Sequence, residues 1–476
     1  MDDNQGSEIM DQESGIEDQG TGLGAEGEKR GLRVFSRIIA AVLIIALGIA
    51  LVTAKMPGQT TTNRTKVVFW HRWSGYWEDV VKRLVGKFNA SQTDYEVVPL
   101  FVTGSGSETK FMLSTLGGDP PDVMSMGSDS LPSIASGGLL TDLETLMTSE
   151  EREYFHRVPY AAVRESGQYG GKTYGITIGA DLMGYYVNCA QLREIGVDPD
   201  KPPKTFEELV ALGERLTKRD AKGHIIRLGL NVDDLATQSI AWGGGFYDPK
   251  KGVLTMNTPE NLACLTALVE QKKKVGFEDA QRFWSSQNNG SSTGAWSFIP
   301  GGVSITYDGQ WRVDEIHRAK PDMDYRIWPL IPPAGGKPLA GLMGGNFMII
   351  PTSSKQKKGA FEFLKFWSGV THPERAAECF VAGGWIPLSP DVANAPAYQT
   401  FLKENPQFKT FIDVLSGPNC QSKPRIGYLQ YYLDQISNAQ DVAFRNELSP
   451  SAALARFEST VNTERRKRKE LGFDDK

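Results

Sequence analysis

The sequence predicts an α/β protein whose body is divided into two lobes. Three observations predict it. Strand-like and helix-like segments alternate from residue 66 onward, the pattern of a parallel sheet covered by helices. The alternation then resumes in the second half of the chain. The body, roughly 410 residues, is also too large for a single core. The chain has 476 residues, of which 40 % are apolar and 23 % charged, an ordinary globular balance. Nine acidic residues and no base lie in residues 1–28, and Lys29, Arg30, Arg33 and Arg37 follow. The remainder carries 48 acidic and 48 basic residues. A neutral body lacks the basic face that nucleic-acid binding requires.

The elements come in this order. Residues 1–37 read as a disordered tail, acidic and then basic. Ile38–Ala54 is a run of 17 uncharged residues, at the short end of what spans a bilayer. The basic residues before it place the tail in the cytoplasm and the body outside. It is read as an uncleaved signal anchor, or else as a signal peptide cleaved after Ala54, and residues 55–65 as a polar linker. Lys66–Trp70 is a strand. Tyr76–Asn89 is a helix with Val80, Val81, Leu84, Val85 and Phe88 on one face. Tyr95–Val102 and Asp122–Met126 are strands around a helix over Glu108–Leu116. Met183–Val187 is a strand, and Thr205 with Glu208 opens a helix as a capping box. Thr258-Pro259 starts another helix. Val303–Tyr307, Tyr325–Leu330 and Gly341–Pro351 are strands, Gly309–Arg318 and Lys358–Ser368 are helices, and the last ~60 residues read as helices. Cys189, Cys264, Cys379 and Cys420 match no metal spacing. In an oxidising compartment Cys379 and Cys420 are the better disulfide pair, and four buried free thiols are the alternative.

Nothing local signals catalysis. The five histidines are scattered, and no metalloprotease helix, nucleophile elbow or phosphate loop occurs. Paired carboxylates leave glycoside hydrolysis open. The aromatic residues are more informative. Trp73 lies with His71, Arg72 and Ser74 after the first strand, where ligands bind in α/β sheets. Trp242 precedes three glycines, Trp311 follows Asp308, and Trp385 follows two glycines. Flat aromatic faces beside hydrogen-bonding groups suit a sugar, although any one Trp is equally a core residue.

Ordered along the chain, VVFWHRWSG (67–75), GGDPPDVMSMGSD (117–129), GKTYGITIGADLMGYYVN (171–188), REIGVDPDKPPKTFEEL (193–209), WGGGFYDPKKGVLTMNTPE (242–260), ITYDGQW (305–311), GGNFMIIPTSSKQKKGAFEFLKFW (344–367) and AGGWIP (382–387) together resemble the family 1 extracellular solute-binding proteins of ABC importers, the class containing maltose-binding protein. The resemblance implies a two-lobed periplasmic-binding-protein fold, type II-like, with a hinge crossed three times, near Ile178–Asp181, Tyr307–Asp308 and Phe347–Ile350. Lobe one would hold 66–178 and 308–347, lobe two 182–306 and 350–460, and 461–476 would be a charged tail. It implies ligand contacts from Trp73, Ser74, Asp129, Asp181, Trp242, Asp308, Trp311, Asn346, Trp385 and Tyr428. Met126 stands where maltose-binding protein has an aromatic residue. Asp308 is alternatively a helix cap, and Arg72 and Arg425 are candidates to pair an anionic group. Trp73 and Asp129 would come from lobe one, Trp242 and Trp385 from lobe two.

The function expected is an extracytoplasmic, monomeric receptor, without metal or cofactor, that captures a carbohydrate and delivers it to an ABC permease. A sugar-sensing receptor subunit and a carbohydrate-active enzyme are the alternatives.

Overall fold

A computed structural model of the chain describes residues 63–103, 106–249, 251–290 and 296–473. The tail, the apolar run Ile38–Ala54 and nearly all of the linker lie outside them. Among the described residues no helix is long and apolar enough to cross a membrane.

Two sheets organise the body. The elements of the first half are β1 (Thr65–His71), α1 (Tyr76–Ser91), β2 (Tyr95–Phe101), α2 (Ser107–Leu116), β3 (Val123–Gly127), β4 (Gly175–Asp181), β5 (Met183–Asn188), α3 (Phe206–Leu216), β6 (Ile225–Asn231), α4 (Leu235–Ala241) and α5 (Pro259–Val275). Those of the second half are β7 (Val303–Gly309), α6 (Trp311–Ala319), β8 (Tyr325–Trp328), β9 (Gly341–Ile349), α7 (Lys357–Ser368), α8 (Pro373–Gly383), α9 (Lys409–Ser416), β10 (Cys420–Ser422), α10 (Leu429–Phe444) and α11 (Pro450–Glu470). The first sheet runs β10-β9-β3-β1-β2, with β4 also paired to β9. Here β1 is parallel to β2 and β3, while β9 is antiparallel to β3 and β4. The second sheet runs β8-β5-β7-β6 and ends on the two-residue strand Lys218–Arg219.

The periodicities explain the layers. The apolar stripe of α1 is buried as its spacing requires: Val80, Val81, Leu84, Val85 and Phe88 are all in the first core. At the start of α3 the Thr205 hydroxyl accepts from the Glu208 amide, but the Glu208 carboxylate accepts from the Lys204 amide, so the cap is only half reciprocal.

The chain passes between the two halves at three main places, and α6 makes a further excursion from the second sheet into the first core between β7 and β8. The first is a single residue, Leu182, between β4 and β5. The second lies between β8 and β9, and the third between β10 and α10. These differ from the expected crossings beyond the first. β8 pairs with β5 in the second sheet, so 308–347 is not one stretch of lobe one, although α6 does pack Val313 and Ile316 into the first core. Likewise α7, α8 and α9 fill the first core with Phe363, Trp367, Phe380 and Phe411, not lobe two. Trp367 fixes this placement by donating its indole N–H to the Ile178 carbonyl of β4 at 3.1 Å. Helical periodicity shows that a face is buried and carries no information about which sheet covers it. Residues 461–470, expected in a tail, continue α11.

The cysteines are free among the described residues. Cys379 is buried on α8 in the first core, and Cys420 is half-buried on the edge strand β10. Burial pushes both thiols up to about 12. Both thiols are free, so the expected Cys379–Cys420 disulfide is not formed; apolar packing accounts for both side chains.

Candidate functional site

β1 and β3 are parallel, so their carboxyl ends open on the same side of the first sheet. Arg72 follows β1, and Gly127, Ser128 and Asp129 end or follow β3. β4 ends there on Asp181, and β9 passes through with Leu342, Gly344, Gly345 and Asn346. Together with Lys423, which leaves β10, these residues form one wall of a cavity of about 350 Å³. The opposite wall belongs to the second lobe: Asp234, Ala236 and Thr237 open α4, and Leu433 and Ser437 project from α10. Trp311 and Met183 close the end near the Leu182 passage. The cavity thus lies outside strand carboxyl ends and between the two sheets, where α/β proteins hold ligands.

The polar groups are individually placed. Lys423 Nζ lies 2.5 Å from Asp129 Oδ1, which also accepts from the Ser128 hydroxyl at 3.0 Å. Asp181 accepts from the Gln310 side-chain amide at 2.8 Å. Burial raises the Asp181 carboxyl above its ordinary value, against the opposing pull of Gln310, Lys423 and Arg72. Asp234 sits at the N-cap of α4 with φ 69°, a left-handed conformation that Asp adopts more readily than most residues. Its carboxylate accepts from the Thr237 amide at 3.3 Å and the Thr237 hydroxyl at 2.6 Å. Burial raises this carboxyl too. Arg72 lies 3.9 Å from Glu108. Its guanidinium reaches Gly127 so closely that a Cβ there would stand 3.0 Å from Nη1.

Gly345 makes this geometry possible. Its φ is 151°, and a Cβ would meet the Gly179 carbonyl oxygen at 2.5 Å. The bulge between Asn346 and Phe347 comes immediately after it. β9 can therefore stay paired with both β3 and β4 while turning Asn346 into the cavity.

Of the ten residues expected at the site, Asp129, Asp181, Trp311 and Asn346 line this cavity. The other six do not. Trp73 is half-buried and stacks on Trp367, centroids 5.9 Å apart at 15°. Trp385 is buried in the first lobe, 5.4 Å from Trp367 and packed on Gly179. Trp73 and Trp385 also touch directly, centroids 5.9 Å apart, so with Trp367 the three indoles form one packed cluster in the first lobe instead of facing each other from opposite lobes. Ser74 is exposed in the turn beyond β1. Trp242 packs edge-on to Phe206 at 5.0 Å in the second core. Tyr428 is buried in that core with the Arg468 guanidinium over its ring at 4.9 Å. Asp308 accepts from the Gly309 amide and pairs with Arg312 at 2.9 Å, so the start of α6 occupies it. Met126 is buried in the first core, and Arg425 donates to Gln168 at 3.3 Å.

Sequence reasoning missed Asp234, Thr237, Lys423 and Gln310. Asp234 with Thr237 three residues on is an N-cap signature that was available to be read. Lys423 and Gln310 carried no local signal. No group of three or more His, Cys, Asp or Glu among the described residues is arranged to hold a metal ion.

Two sheets with their own cores meeting over a polar cavity, joined by a few chain passages, define a protein that holds a solute between its halves. The chain belongs to the bacterial extracellular solute-binding proteins, a family that matches residues 74–370. It is 24 % identical over 332 residues to the maltotriose-binding protein of Pyrococcus abyssi, covering 70 % of this chain and 68 % of that one. It is 22 % identical over 412 residues to the sn-glycerol-3-phosphate-binding periplasmic protein UgpB of Yersinia pseudotuberculosis, covering 82 % and 90 %. Among solved structures, the cyclic α-maltosyl-1,6-maltose binding protein of Arthrobacter globiformis superposes with a TM-score of 0.69 at 22 % identity, over 84 % of this chain and 99 % of that one.

Proposed function

We propose that this protein captures a carbohydrate in the cavity between its lobes and passes it to an ABC permease on the outer side of the cytoplasmic membrane. The observation that carries the reading is the cavity lining: Asp129, Asp181, Asp234, Asn346, Thr237 and Ser437 from both lobes, with the indole of Trp311 at one end. Carboxylates and amides accept and donate to the hydroxyl edge of a sugar, and an indole covers its C–H face. The sugar-binding relatives support this solute class. Lys423 is paired with Asp129, so the lining leaves Arg72 as its other cation against two further carboxylates. That balance favours a neutral polyol over a phosphate ester.

Binding requires no bond to be made or broken. A solute touching both walls has more contacts when the lobes are together, so it shifts the population toward the closed state that a permease reads. Residues 66–181 together with 341–422 act as one lobe, and 183–309 together with 429–470 as the other. Ile38–Ala54 holds the monomer on the membrane, and the linker keeps the body near the permease.

A thermal-shift screen of the full chain against maltodextrins, manno-oligosaccharides, monosaccharides and sn-glycerol 3-phosphate tests the reading. A sugar at 100 times its Kd should add about 2.7 kcal/mol of stability. Stabilisation by glycerol phosphate and by no sugar would overturn the carbohydrate assignment. Release of cleaved products from a bound oligosaccharide would overturn the non-catalytic reading.

A further inference from the structure

We infer that the end of α11 is a docking surface for an anionic phospholipid membrane. The helix packs Ala453, Leu454, Phe457 and Val461 into the second core. Its last turns then carry Arg465, Arg466, Lys467, Arg468 and Lys469 in unbroken succession. Five consecutive helical positions point around the whole circumference, so the cluster is more than one solvated stripe. Arg468 has a structural task, bonding Glu464 at 2.9 Å and covering Tyr428. Arg466 donates to the Thr463 hydroxyl at 3.1 Å, and Arg465, Arg466, Lys467 and Lys469 are all exposed. Cations at a helix C-terminus do complement the helix dipole, but that effect falls off within the last turn. It accounts for Lys467, Arg468 and Lys469 in the last turn, and the cluster extends back beyond that turn to Arg466 and Arg465.

A pair of apolar side chains directly beyond the cations is the second observation. Leu471 is 64 % exposed and Phe473 60 % exposed. Basic side chains flanking exposed apolar ones are the composition of an interfacial segment, in which charge meets lipid headgroups and Leu and Phe enter the acyl boundary. An acidic protein partner would use the charges and leave the two apolar groups unexplained. Glu464 and Glu470 oppose the cluster, as do Asp474 and Asp475 in the sequence beyond it, so the net charge from Glu464 to Lys476 is +2 and the positive charge is concentrated in the five consecutive positions Arg465–Lys469. Each basic residue near an anionic surface contributes about fivefold to partitioning. α11 packs against α10 and α5 in the second lobe, so docking there would hold that lobe to the membrane and leave the first lobe to move.

The test uses the full chain mixed with nanodiscs of phosphatidylcholine alone or with about 30 mol % phosphatidylglycerol. Tryptic cleavage at Arg465–Lys469 should slow at least tenfold in the anionic discs, and about 0.5 M salt should abolish the protection. Cleavage at Arg64 serves as the control and should not change. The triple variant Arg466→Gln, Lys467→Gln, Lys469→Gln should lose the lipid dependence at the remaining sites, and Phe473→Ser should weaken it. Equal cleavage in both lipids overturns the proposal, as does protection that survives in the triple variant or protection by a soluble polyanion alone. Vesicle flotation separates this from the anchor reading. If the chain fails to float with phosphatidylcholine but floats with phosphatidylglycerol, the anchor fails and the docking surface stands.

Discussion

Asp181 stands at the end of β4 under two opposing influences. Burial disfavours its charge, while a sugar hydroxyl would bond best to the ionised form. Its native carboxyl titrates above the ordinary value of about 3.9. The stability it contributes is complete below that value and is lost as pH rises through the raised native one. Asp181→Asn keeps an oxygen for the Gln310 amide and removes the charge. It should raise the melting temperature of the ligand-free protein at pH 7, an advantage that vanishes below about pH 4, as thermal melts across that range will read. The same variant should bind sugar more weakly at pH 7. Lys423→Met tests the neighbouring pair. Freed of its cation, Asp129 should repel anions and bind neutral sugar about tenfold more weakly by calorimetry, since one charge-oriented acceptor loses its alignment. At this scale the sequence was partly legible. Asp129 and Asp181 could be found because each lies in a segment that resembles the family, GGDPPDVMSMGSD and GKTYGITIGADLMGYYVN. Lys423 could not, because its partner lies 294 positions away and a single Lys in a loop has no pattern.

The elements separate two kinds of tryptophan that look alike in the sequence. Trp311 is half-buried, lines the cavity and lies over Gly309. Trp311→Ala should weaken sugar binding by about 1–3 kcal/mol while the melt changes little. Trp385 is 5 % exposed, and its truncation should cost about 3–5 kcal/mol of stability by denaturant titration, as for any buried aromatic. Both come after polar or glycine-rich turns, and such turns occur wherever a helix ends, whether at a cavity or in the core. The strand β9 offers a sharper case. Gly345→Ala must displace either the Gly179 carbonyl or its own backbone. The expected loss is about 1–3 kcal/mol, together with loss of sugar binding, because Asn346 is aimed by the same bulge. Strand and helix positions were largely readable because periods of two and 3.6 are local. The sheet to which β8 and α7–α9 belong was not, because partner choice depends on contacts far along the chain.

For the whole molecule, the α/β architecture was legible from alternation, and the path of the chain between its two sheets was not. Sugar should draw the lobes together, so small-angle scattering of the full chain should show a smaller radius of gyration with saturating sugar than without it. An unchanged radius alongside tight binding would mean that the solute enters an already closed form.

The passage at Leu182 has a mechanical meaning of its own. Gln310 clasps it: the Leu182 amide donates to the Gln310 side chain, the Gln310 amide donates to the Leu182 carbonyl, and the Gln310 side-chain amide holds Asp181. The passages at 329–340 and 423–428 are longer. One stitched residue and two longer spans, each held by a few hydrogen bonds, make an axle with two longer straps. An axle transmits the turn of one half to the other and tolerates no added length, whereas a strap tolerates a splice. A fluorescent domain inserted near Gly335 at the surface should therefore leave capture intact and report it. The same insertion at Leu182 would uncouple the halves.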